Sequence, residues 1–132
     1  MMQFLLVAVG GALGAMARYG LGLTAARLAP ASAWPWGTFV ANITGGLLMG
    51  LLAGWLALKA GAGQESIRLF AAVGLLGGFT TFSAFSLEAA LMIERRELAT
   101  AFVYAVGSVV LSIAALFVGL MIARKLFTGV GA

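Results

Sequence analysis

The chain has no cysteine, no histidine and no aspartate among its 132 residues. Without cysteine there is no disulfide, no thiolate nucleophile and no sulfur ligand for a metal. Without histidine and aspartate, the usual general base, the commonest metal ligand and most proton-relay chemistry are missing. An enzyme would have almost no side chains to work with. Charge is scarce too: 9% of residues are charged, against roughly 25% in soluble domains. The acids are Glu65, Glu88, Glu94 and Glu97. The net charge of +4 is scattered along the sequence, which leaves no basic surface for nucleic acid. Apolar residues are abundant, at 63% of the chain, and the mean hydropathy is +1.11. This composition describes an all-α protein embedded in lipid, with 1–132 as a single transmembrane domain.

A spanning helix needs ~20 mostly apolar residues. Four segments qualify: 3–29, 37–60, 66–94 and 98–127. No basic run precedes the first, and its apolar pattern outlasts a signal peptide, so it reads as a mature helix. Pro30, Trp34, Pro35 and Trp36 separate the first two, with tryptophans where interface anchors belong. Short loops make neighbouring helices antiparallel. One side then holds Lys59, Arg68, Arg124 and Lys125, and the other holds Arg27, Arg95 and Arg96. That near balance gives the positive-inside rule no purchase. Either a weaker signal sets orientation, or both orientations insert and pair as an antiparallel dimer. Glycines repeat as Gly10-x3-Gly14, Gly46-x3-Gly50-x3-Gly54 and Gly74-x3-Gly78, a spacing that permits close helix packing in lipid.

The third segment is interrupted by Gly77-Gly78-Phe79-Thr80-Thr81-Phe82-Ser83-Ala84-Phe85. The two glycines predict a break over 77–81. Unwound backbone at membrane depth is tolerated only where it lines a cavity or is buried in protein. A break frees carbonyls for a cation, and the new half-helix after it favours negative charge at its start. Other polar residues of the spans point the same way, since intramembrane polarity is costly and tends to be functional. Thr38 and Asn42 share a face of the second helix. Thr100, Tyr104, Ser108 and Ser112 recur every four residues as a stripe on the fourth. Phe82 and Phe85 share a face and can turn their positive edges to an anion or their negative faces to a cation. Thr80, Thr81 and Ser83 surround them with hydroxyls. Arg18 can draw an anion or cap a neighbouring helix. Glu88 is the one acid well inside a predicted span. Each of these residues also has a packing explanation. A passive channel, a small proton- or sodium-coupled exporter built on Glu88, and a non-transporting assembly factor all fit the residues taken alone.

Three stretches narrow the choice. Gly10 to Tyr19, Trp36 to Gly45, and Gly77 to Phe85 resemble the signature stretches of the Fluc (CrcB) fluoride channels, in order and across nearly the whole chain. The resemblance implies a multi-pass inner-membrane protein with four helices, assembled as a dual-topology antiparallel homodimer with two pores. It implies passive, fluoride-selective export that protects against fluoride toxicity. It also implies a central sodium ion held by the backbone carbonyls of Gly77 and Thr80. By the same resemblance Asn42, Phe82, Phe85, Tyr104, Ser108 and Ser112 line the fluoride path, with Thr38, Thr81 and Ser83 beside them. Arg18 and Glu88 belong to the vestibule. The sequence departs from the family at Ala84, where Thr or Ser is frequent, and at Ala41, where Val is frequent.

Overall fold

The computed structural model describes residues 1–59 and 61–128. Ala60, placed at the end of the second predicted span, lies outside the described residues. The chain folds into helices only among the described residues, and four of its helical stretches are long and apolar enough to cross a membrane. Helix α1 is Met2–Leu28 and α2 is Trp36–Leu58. Helix α3 runs over residues 64–79, in three consecutive parts: Gln64–Ile67, Arg68–Leu76 and Gly77–Phe79. Helix α4 is Phe82–Glu94 and α5 is Leu98–Thr128. With 31 residues, α5 is about 46 Å long, more than the ~30 Å hydrocarbon core.

Glycine decides how these helices pack. Lipid offers no hydrophobic drive for helix association, so close backbone approach and dispersion must supply it. On α2, a Cβ at Gly46 would meet the Ser112 carbonyl oxygen at 2.6 Å, and Gly50 and Gly54 face Leu116 and Ala123. This row seats α5, and the α2–α5 pair has the most extensive packing in the molecule. Helix α3 rests on α1 in the same way, with Gly74 against Gly10 and Gly78 against the Gly11 carbonyl. The middle of α3 has widened, π-type turns, and the Gly77 N–H reaches back five residues to the Ala72 carbonyl.

The two glycines do not unwind the third segment. Gly77 and Gly78 are helical, and the extended dihedrals fall later, at Thr80 (φ −82°, ψ 157°) and Thr81 (φ −150°, ψ 125°). The reason is steric. Gly78 is needed small because α1 backbone lies against it, not because it leaves the helix. The link between α3 and α4 is therefore two threonines.

At the far end of α4, Arg96 takes a left-handed φ of 60°. The Arg96 and Glu97 N–H groups close on Ile93 and Met92 carbonyls, which ends the helix and turns the chain straight into α5.

Candidate functional site

The Thr80–Thr81 link is held from three directions. From α2, Asn42 grips Thr81 twice: its Nδ2 donates to the Thr81 carbonyl at 2.9 Å, and its Oδ1 accepts the Thr81 N–H at 2.8 Å. That N–H would otherwise close a regular turn on the Gly77 carbonyl. From α1, Arg18 Nε donates to the Gly78 carbonyl at 3.2 Å, so the arginine caps the end of α3. Within the segment, Thr80 Oγ1 donates to the Leu76 carbonyl at 2.9 Å, and Thr81 Oγ1 caps α4 by accepting the Ala84 N–H at 3.2 Å.

Beside the link lies an open recess of about 410 Å³ between α2, α4 and α5. Asn42, Thr80, Thr81, Phe82, Phe85, Ser108 and Ser112 all line it. The Phe82 and Phe85 rings sit 5.5 Å apart, tilted by 41°. Phe82 is 77% exposed, at the open side. The Ser108 and Ser112 hydroxyl oxygens are buried on the opposite wall, and neither has a hydrogen-bond partner. An unpaired buried hydroxyl costs roughly 1–3 kcal/mol, so two on one wall are available to a group that enters the recess.

A second recess, of about 500 Å³, opens between the C-terminal half of α1, the tryptophan loop and α4. Arg18, Thr38, Trp34, Ala84 and Glu88 line it. The Glu88 carboxylate is engaged at both oxygens: Thr38 Oγ1 donates to one at 2.8 Å and the Tyr104 hydroxyl to the other at 2.6 Å. Tyr104 is fully buried and lines neither recess. It packs against Phe85 on one side and edge-on against Trp34 on the other, each at 5.3 Å. A continuous aromatic file runs from Trp36 through Trp34, Tyr104 and Phe85 to Phe82.

The residues singled out in sequence thus divide into two sets. Thr38, Arg18 and Glu88 share the outer recess, and the inner recess gathers the rest apart from Tyr104, Ser83, Gly77 and Thr100. Ser83 is exposed and touches the site only through a 3.3 Å hydroxyl contact with Thr81. Gly77 is exposed on the side of α3 away from α1. Thr100 is exposed and lines neither recess, so the hydroxyl stripe of α5 begins at Tyr104. Among the described residues no group of three or more acidic side chains could hold a metal ion. Sequence reasoning missed Gly45, which packs against Thr80, and gave Trp34 only an anchoring role.

The family model for CrcB-like proteins, described as camphor resistance (CrcB), matches residues 5–120. The chain belongs to the CrcB family. Both recesses fall inside the matched region. This CrcB chain is 62% identical over 128 residues to a protein of Caulobacter sp. (strain K31), covering 97% of this chain and 99% of that one. It is 63% identical over 128 residues to one of Phenylobacterium zucineum, covering 96% and 99%. It is 59% identical over 124 residues to one of Hyphomonas neptunium, covering 94% and 97%. All three relatives are named fluoride-specific ion channel FluC.

Proposed function

We infer that this chain is a fluoride-selective channel, not an enzyme, and that it passively exports fluoride across the inner membrane and so protects the cell from fluoride. The observation that carries the reading is the pair of unpartnered hydroxyls of Ser108 and Ser112, two residues that line a recess with Asn42, Phe82 and Phe85. Fluoride is small and strongly hydrated, so a selective pore must replace its water with donors. Hydroxyls, an amide and positive ring edges supply donors without a cationic side chain in the recess that would trap the ion. Conduction needs binding strong enough to admit the ion and weak enough to release it. Fluoride efflux from proteoliposomes, measured beside chloride efflux, tests this. Fast fluoride flux down its gradient with little chloride flux is the expected result. Fluoride movement that needs a counter-gradient would replace the channel with a coupled exporter.

The working unit in this reading is an antiparallel homodimer of dual topology. The inner recess is open on the side where Phe82 is exposed, and a second copy of the chain would close it. The nearly even distribution of basic loops supports insertion both ways. Tagging of the C-terminus should label both faces of the membrane; labelling of one face alone would refute dual topology.

A central sodium ion would be held by the carbonyls of Gly77 and Thr80. The residues fit it. The Thr81 N–H is diverted from Gly77 to Asn42, and a Cβ at Gly77 would meet nothing nearer than 3.6 Å, so no contact within the protomer demands glycine there. Neutral carbonyl oxygens suit a hard cation. Bound there, the ion would supply a fixed positive charge close to the fluoride path.

A further inference from the structure

The adjacent glycines of α2 meet different neighbours. Gly46 faces α5, as described, whereas a Cβ at Gly45 would collide with the Cγ2 methyl of Thr80. Its next neighbours would be Phe79 Cδ1 at 3.5 Å and Thr80 Cβ at 3.7 Å, both ordinary van der Waals separations. A single methyl group therefore accounts for the requirement for glycine. That methyl has little freedom to move. The bond from Thr80 Oγ1 to the Leu76 carbonyl fixes the side-chain rotamer, and Asn42 holds the next residue at both its N–H and its C=O. Gly45 lies three residues after Asn42 on the same helix, so one stretch of α2 grips both threonines of the link.

We propose that Gly45 is a positioning residue for the ion path: its missing side chain is the socket that seats the Thr80 methyl and sets where the Thr80–Thr81 link stands against Asn42, Ser108 and Ser112. The proposal rests on the fluoride-channel reading. Enlarging residue 45 would push the link off α2, widen the recess and loosen the donor arrangement that distinguishes fluoride from larger anions.

A double-mutant cycle on the full-length, reconstituted protein tests it. Thr80→Ser deletes the obstructing methyl and keeps the hydroxyl that bonds Leu76. Fluoride efflux, the fluoride-over-chloride ratio and the thermal unfolding midpoint are measured for the wild type, Gly45→Ala, Thr80→Ser and the double variant. Gly45→Ala is expected to lower fluoride flux by about tenfold and to lower the ratio; in the Thr80→Ser background the same change shifts both by less than about twofold. Equal damage in both backgrounds overturns the socket. So does a Gly45→Ala protein that loses stability yet keeps wild-type flux and ratio, because Gly45 is then packing alone. Should Gly45→Ala fail to fold, a double variant that folds and conducts like Thr80→Ser supports the proposal, and one that also fails to fold overturns it. A wild type that passes no fluoride defeats the channel reading, and the four unfolding midpoints still answer for the socket: a loss restored by Thr80→Ser supports it, and an unrestored loss overturns it.

Discussion

Consecutive residues of α4 open onto different recesses, Ala84 onto the outer one and Phe85 onto the inner one. The outer recess holds formal charge, and both of its charged side chains bond within the protein, while the buried Trp34 Nε1 beside them has no partner. Glu88 accepts two hydroxyls, and Arg18 caps Gly78. The inner recess holds no formal charge, and two of its hydroxyls have no partner. Polar groups that satisfy one another contribute to the fold; polar groups left unsatisfied inside it are available to a ligand. In the proposed channel the inner recess would carry the ion, and the Glu88 and Arg18 bonds of the outer one would hold the fold. Tyr104 belongs to both assignments, because it is in the α5 stripe yet spends its hydroxyl on Glu88.

That comparison can be broken by measurement. The largest effect is expected for Asn42→Ala, because Asn42 lines the inner recess and also grips the link. The change leaves the Thr81 N–H without a partner, at roughly 1–3 kcal/mol, and frees the link from α2, so flux should fall by about a hundredfold and the unfolding midpoint should drop. Next come Ser108→Ala and Ser112→Ala. Each should cut fluoride flux by about tenfold while stability holds or rises, by up to about 1–3 kcal/mol, since the change removes a buried hydroxyl that has no partner within the chain. A loss of stability in either would show that these hydroxyls have partners after all. Tyr104→Phe should do the reverse, lowering stability by about 1–3 kcal/mol because one Glu88 oxygen loses its donor, with a smaller effect on flux. Flux lost without stability would move Tyr104 into the pore. The smallest effect belongs to Arg18→Lys. It keeps the charge and loses the bond to Gly78, so stability should fall by about 0.5–1.5 kcal/mol and flux by less than about threefold. A larger flux loss would make the guanidinium an ion contact.

The number and order of the spans were legible because hydropathy alone fixes them in a chain with so few charges. The signature stretches identified the family. Three things were not legible. Gly77-Gly78 looks like a helix breaker, but glycine in lipid serves close packing as readily as unwinding, and only the position of α1 shows that Gly78 does the former. The widened turns of α3 have no periodicity that a sequence displays. The links from Asn42 to Thr81 and from Thr38 to Glu88 join residues 39 and 50 positions apart, so no local pattern encodes them. Asn42 could be singled out as polar, but whether its amide was spent on backbone or kept for an ion depended on where the link would come to lie.

The turn at Arg95–Glu97 bears on how the protein is made. It is three residues long and sets Glu88 and Tyr104 on the two arms of one hairpin, 16 positions apart. Arms that insert together carry the carboxylate into lipid with one of its two donors on the same hairpin, and a carboxylate without donors is costly there. A longer turn would let α4 enter ahead of α5 and bring Glu88 into the membrane before Tyr104 could reach it.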